Sequence, residues 1–352
     1  VNLDFVMNGQ GHGDVATILM NAGFDHNVLR PWMGDDGRMY RNVVRNGKVE
    51  VIVTNTPATL RKDDWKILDE AIVKAAKPRL RAWADIRGAG LSFSIPNGMG
   101  KTVLETERQS DIGPAIISMD GVREGDNDRP LFDLTNLPLP IIHKDFSFTA
   151  RQIAASRSGG SPLDTTSAEL AARRVAEEVE KLTIGVADTY AYGGGTIYGL
   201  KNFPSRNTHT LTSPTSGGWT PATLVGQVLA MKAKSQADFH YGPWMLYCSP
   251  SWDAYMDDDY SAAKGDLTLR ERLKKIDGIQ DCRTLDYLEN YDLLLVQMTN
   301  DVVRAVSGME MTTVQWESKG GLQLHYKVMC IWVPQVRADY NGNCGIVHGA
   351  TA

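Results

Sequence analysis

Cysteine is scarce in this sequence and arranged in no motif: Cys248, Cys282, Cys330 and Cys344 are scattered, with no Cys-x-x-Cys among them. That pattern excludes a zinc ribbon and a thioredoxin-like redox pair, and predicts reduced, structural thiols. Apolar runs long enough to cross a bilayer are missing, and the N-terminus shows no charged-then-apolar leader pattern. Both absences predict a soluble chain made and used in the cytosol, with no membrane partner. A basic excess is missing too. The net charge is −5 over 352 residues, which argues against a dedicated nucleic-acid reader, because neutralising phosphates takes clustered Lys and Arg. It still permits a container wall that faces DNA.

The signatures of common catalysis are absent or incomplete. Gly98-Met-Gly-Lys101-Thr102 resembles the end of a phosphate-binding loop. Ile95 stands where the first glycine belongs, and the residues that follow read as strand, so no helix N-terminus meets a phosphate. A hairpin turn accounts for it better. Gly9-Gln-Gly11-His12-Gly13 and Gly193-Gly194-Gly195 lack the Gly-x-Gly-x-x-Gly spacing after a parallel strand and read as turns. Asp257-Asp258-Asp259 has no EF-hand spacing and reads as a solvated face. The seven histidines contain no His-x-x-x-His pair, and His143 and His325 fall in strand-like stretches as structural residues. No Gly-x-Ser-x-Gly marks a nucleophile elbow, although a triad built from distant residues stays open. No catalytic, cofactor-binding or metal-ligating residue is assigned, and no cofactor is implied.

What the sequence does contain is a pattern of construction. Its length exceeds the usual single-domain size, so two lobes, or one lobe with long arms, are expected. Thr166 followed by Glu169 predicts a capping box. From Ser167, the apolar positions Ala168, Ala171, Ala172, Val175, Ala176, Val179 and Leu182 recur at steps of three and four. Arg173, Arg174, Glu177, Glu178 and Lys181 take the other face, with Arg174 and Glu178 as an exposed i,i+4 pair. Gly185 ends this helix. Its buried face is small, which suits a spine against which strands are laid.

Residues 1–55 hold an apolar stretch around Val15 to Met20 and the strand-like Val49–Val53, and read as an arm that orders against something else. After Pro57, the segment Arg61-Lys-Asp-Asp-Trp65 opens an amphipathic helix anchored by Trp65, Ile72 and Trp83 and ended or kinked at Pro78. Asp85 to Asp133 is punctuated by glycines and reads as a long hairpin that a lone subunit leaves uncovered. Thr220-Pro221 caps a further helix. An α/β lobe follows, with strands at Tyr241–Cys248 and Tyr291–Met298 separated by helical Trp252–Met256 and Leu267–Ile276. Strands at Val302–Val306, Met311–Trp316 and Leu322–Val333 come last.

In order along the chain, Pro138-Leu-Pro-Ile-Ile142, Asp145-Phe-Ser-Phe148, Leu163-Asp164-Thr165, the Ala/Glu spine helix, Gly199-Leu200 and Gly242-Pro-Trp-Met-Leu246 resemble the encapsulin family. That family shares the Hong Kong 97-type capsid fold of tailed bacteriophages. The resemblance covers roughly residues 57 to 340, and the order of the motifs carries it. It implies an α+β capsid subunit: an N-terminal arm (1–56), an N-terminal helix (57–84), an E-loop (85–133), a P-domain (134–204 and 301–340), an A-domain (205–300) and a C-terminal tail (341–352).

The same resemblance implies self-assembly as pentamers and hexamers, an inner surface that meets packaged DNA non-specifically, portal and scaffold or decoration partners, and a place in the virion. The arm before Pro57 and a polar tail from Tyr340 depart from compact encapsulins and favour a phage coat. The alternatives are an encapsulin nanocompartment around a cargo enzyme, and a soluble α/β enzyme. Some relatives crosslink a lysine to an asparagine. Lys101 lies in the hairpin segment, and no feature marks a partner for it.

Overall fold

The computed structural model describes residues 31–45, 48–53, 60–119, 129–158, 165–260 and 267–351. The Gly9–Gly13 loop, the Val15–Met20 stretch and Leu163-Asp164 fall outside them. The chain divides into two compact units: Val1–Thr102, Leu139–Thr183 and Arg304–Pro334 form one, and Val103–Pro138, Ile184–Val303 and Gln335–Ala352 the other.

The first unit is built on a four-stranded sheet in the order Ser92–Ser94, Val303–Ser318, Gln323–Val336, Ile142–Thr149. The C-terminal strands expected as three segments are two long ones, of 16 and 14 residues. Both are rich in β-branched and aromatic residues that suit a half-buried pleated surface. Helices Lys62–Ala76 and Ala82–Gly88, with a 3₁₀ turn at Lys77–Arg79 between them, supply Trp65, Ile72 and Trp83 to the core as expected. Pro78 ends the first of these helices, because it has no N–H to continue the ladder. Trp83 stacks on Trp332 with ring centroids 5.6 Å apart, and Trp65 meets Tyr326 edge-on at 5.9 Å. A short helix at Ala150–Ser158 was not anticipated.

The spine helix runs Thr166–Ile184. It starts one residue earlier than the sequence reading placed it: Thr165 precedes it, and the Thr165 hydroxyl donates to Glu169 Oε1 at 2.9 Å. The small face is buried as predicted, with Ala168, Ala172, Ala176 and Val179 fully covered. The ionic face differs. Arg174 pairs with Glu177 at 3.0 Å, not with Glu178, and Arg173 and Arg79 reach the same carboxylate at 3.4 and 3.8 Å. Glu177 is therefore the buried centre of a three-arginine cluster.

One buried acid sits on the apolar stripe itself. Glu180 accepts from the backbone N–H of Ala82 at 2.6 Å and of Trp83 at 3.2 Å, capping the start of the Ala82–Gly88 helix in place of a local side chain. Burial pushes its carboxyl up to about 7, the N–H groups of Ala82, Trp83 and Arg81 oppose the rise, and Asp85 adds to it. Because the folded value lies above the ordinary one, the contribution to stability is full below about pH 4.5 and is lost as the pH rises through 7. The span is on the order of 3 kcal/mol. Thermal melts of Glu180→Gln should therefore fall less between pH 5 and pH 8 than those of the unaltered chain, and identical slopes would contradict this assignment.

Gly98 and Gly308 explain the false phosphate loop. A Cβ on Gly98 would lie 2.2 Å from the Gly308 carbonyl oxygen, so glycine is required for the backbone to cross the sheet closely. The segment Gly98–Gly100 is a 3₁₀ turn. It is not a hairpin turn, because the strands on either side belong to different sheets: Ser92–Ser94 pairs in parallel with Ala305–Ser307, and Val103 begins the exposed hairpin.

The second unit is a five-stranded mixed sheet in the order Asn207–Leu211, Ile346–Thr351, Leu293–Gln297, Trp244–Cys248, Ile279–Thr284. Strands Trp244–Cys248 and Leu293–Gln297 are buried along their whole length. Helix Pro221–Ala237 packs Leu224, Val228 and Met231 into the same core. Thr220 caps it as predicted, its hydroxyl accepting from the Thr223 N–H at 3.3 Å. Helical Asp253–Met256 and Leu269–Lys274 fall inside the predicted spans. The expected C-terminal tail is a correction: Ile346–Thr351 lies inside the sheet, antiparallel to Leu293–Val296 and parallel to Asn207–Leu211. Burial of Ile346 and Val347 holds it there.

Candidate functional site: an exposed hairpin

A cluster of exposed apolar residues lies on a hairpin and on the run that follows its first strand. Strands Val103–Gln109 and Phe132–Pro138 pair antiparallel in continuous register from Val103↔Pro138 to Gln109↔Phe132. It is shorter than the Asp85–Asp133 segment read from the glycines: Asp85–Gly88 is helical, and Ser92–Ser94 belongs to the first unit.

A two-stranded ribbon is marginal in water without a surface to cover it. This one carries Phe132 at 63% and Leu134 at 62% exposure, and the run that follows its first strand carries Ile117 at 98%. Met119, also on that run, is fully exposed. Arg108 and Asp133, directly opposed in the register, form an ion pair across the ribbon. Such a pair fixes register more than it stabilises.

The root of the hairpin is fastened within its own unit. Gly193 and Gly194, at φ +59° and +77°, make the two-residue turn between Ala191–Tyr192 and Gly195–Thr196, a turn that needs left-handed residues at both positions. The Gly193 carbonyl accepts from Asn136 Nδ2 at 2.9 Å. A Cβ on Gly195 would lie 2.1 Å from the Asn136 carbonyl oxygen. The glycines read from the sequence as a flexible turn are thus the seat of the ribbon. Gln335 also donates to Thr106 at 3.4 Å. Beside this root lies a cavity of about 330 Å³.

The other residues weighed from the sequence do not come together. Asp257 pairs with Arg270 at 3.0 Å, and no group of three or more metal-ligating side chains occurs among the described residues. His325 Nε2 shares a hydrogen bond of 2.7 Å with Ser318 and stacks on Trp316, and His143 lies 3.5 Å from Asp145. All four cysteines are free and buried. Burial pushes the Cys344 thiol up to about 12. A hydrogen bond from Cys282 holds Cys248 below the usual thiol range, and the same bond together with burial drives Cys282 well above it.

Sequence reasoning missed a buried network in the second unit, where Lys201 Nζ and His348 Nε2 approach Asp292 at 2.7 and 3.5 Å. Burial opposes ionisation of Asp292, yet its bonds with His348 and Lys201 outweigh that and hold the carboxyl below its ordinary range. Among the described residues no helix is long and apolar enough to cross a membrane.

A family model matches residues 55–349, most of the chain. The chain belongs to a family of unknown function, DUF6260. Among curated proteins it is 27% identical over 197 residues to the type 1 encapsulin shell protein EncA of Myxococcus xanthus, a match that covers 54% of this chain and 61% of that protein. The alignment thus spans less than two thirds of that relative.

Solved structures carry the likeness further in shape than in sequence. The virus-like particle from Pyrococcus furiosus superposes with a TM-score of 0.57 at 16% identity, over 80% of this chain and 98% of that one. The capsid of Myoviridae Phage XM1 gives 0.56 at 10% identity, over 76% and 92%. The capsid of the native GTA particle gives 0.55 at 11%, over 78% and 91%. The fold of this DUF6260 member is accordingly the α+β fold of Hong Kong 97-type and encapsulin shell subunits.

Proposed function

We propose that the chain is the major capsid protein of a tailed bacteriophage or prophage, assembling as pentamers and hexamers into an icosahedral head around double-stranded DNA. The observation that carries this reading is the exposed apolar hairpin on a subunit with a capsid fold, because surface of this kind is covered in a stable particle. No catalytic step enters. Assembly is driven by burial of hairpin and arm surfaces between copies, many modest contacts being summed by symmetry.

In this reading residues 1–56 are the N-terminal arm and 57–84 the N-terminal helix. The hairpin acts as the E-loop laid over an adjacent subunit. The spine helix and the long C-terminal strands form the P-domain, and the lobe of about 205–300 forms the A-domain. Portal and scaffold or decoration proteins are further partners, DNA is met without sequence preference, and the protein resides in the virion.

A second reading, an encapsulin shell around a cargo protein, is favoured by the sequence relative from Myxococcus xanthus. Contents separate the two. Native particles should hold nuclease-protected double-stranded DNA; DNA-free particles that enclose a protein cargo would replace the phage reading with the encapsulin one.

A further inference from the structure

The cavity beside the hairpin root lies wholly within the second unit, and its lining includes Arg108, Leu134, Leu137, Phe203, Ser205 and Gln335. Its chemistry is two-sided. Leu134, Leu137 and Phe203 offer apolar walls, whereas Gln335 Oε1 and Arg108 Nε make no hydrogen bond among the described residues. Gln335 is only 5% exposed, and a buried carbonyl left without a donor is costly.

An acceptor and a donor set beside apolar walls match an extended peptide, whose N–H and C=O alternate and whose side chain fills the space between. A cavity of this size is at the small end for a ligand site, and it holds aliphatic side chains with their intervening peptide.

The same chain displays a segment of that kind. Residues 111–118 form neither helix nor strand, and Ile117 and Met119 stand almost wholly in solvent. The paired arm of seven residues per strand is roughly 24 Å long at about 3.4 Å per residue. None of residues 111–119 lines the cavity, so run and cavity are separate patches of one unit. Two different patches that fit each other join copies head to tail, the arrangement that closes into rings.

We infer that Ile117 and its neighbours in one copy seat in the root cavity of the adjacent copy, so that each hairpin locks the base of the next. This rests on the shell-forming reading above.

The test is a double variant of the full chain, Ile117→Cys with Ser205→Cys, oxidised with diamide after assembly so that two thiols lose two hydrogens to the reagent and form one disulfide. The expected result is a ladder of covalent multimers on non-reducing gels, reversed by reductant and absent from either single variant. Particles whose double variant stays monomeric, or crosslinks only within one chain, would overturn the inference and leave the shell reading standing. Failure of the unaltered chain to form particles would instead sink the shell reading.

Ile117→Asp provides a second measure should the cysteine variant misfold. It should raise the concentration needed for assembly roughly tenfold or more, and an unchanged threshold would overturn the inference. So would native mass spectrometry that finds a small molecule bound stoichiometrically in the cavity of assembled particles.

Discussion

Phe132→Thr combined with Leu134→Lys should leave a folded subunit that forms no particle. Both side chains are about two-thirds exposed, so replacing them costs the isolated subunit little, within roughly 0.5 kcal/mol for each site. The substitutions are chosen for the register. Leu134 lies opposite Glu107 and Phe132 opposite Gln109, so lysine gains a cross-strand partner and threonine keeps the strand preference. Between subunits the effect is much larger. Each apolar side chain removed from a covered contact forfeits about 1.5–3 kcal/mol, and the loss recurs at every copy. Analytical ultracentrifugation should show a monomer with an unchanged melting temperature. Particles at the ordinary concentration would show that the hairpin is not the joining surface.

Trp332→Ala should cost about 4 kcal/mol of subunit stability, in the range for emptying a large aromatic site. Trp332 is fully buried, stacks on Trp83 with ring planes 23° apart, and lies under the Arg87 guanidinium at 5.6 Å. Arg87 is itself held by Glu310 at 3.1 Å. The substitution thus opens a void and also removes the ring on which a half-buried cation rests. Urea unfolding is best measured in the assembly-deficient background, because shell formation adds apparent stability by mass action. A loss under about 1 kcal/mol would mean that the site collapses around the missing ring.

The spine helix and its small buried face were legible from local chemistry, as were the Thr220 cap and the anchoring tryptophans. Each depends on residues a few positions apart. The features that escaped depend on distant partners. Ile346–Thr351 is short and follows a glycine near the end of the sequence, so nothing local marks it as an inner strand; the strands that cover it lie at Asn207–Leu211 and Leu293–Val296.

Glu180 is one of several charges on an ionic helix. Its place between Ala176 and Thr183 on the buried stripe was the available signal, and the N–H groups it serves are nearly a hundred residues away. The limits of the hairpin were blurred for a similar reason: the pairing of Ser92–Ser94 with Ala305–Ser307 is invisible in a segment whose glycines all resemble turns. The root cavity could not be read from sequence, because it forms only where the ribbon, the Gly193–Gly195 turn and the end of the last long strand meet.

The central claim is that this chain builds closed shells. Electron microscopy of the purified, unaltered protein at micromolar concentration tests it most directly. The account predicts closed particles of uniform diameter with five-fold vertices. A protein that stays monomeric by light scattering and in micrographs under every assembly condition would contradict it.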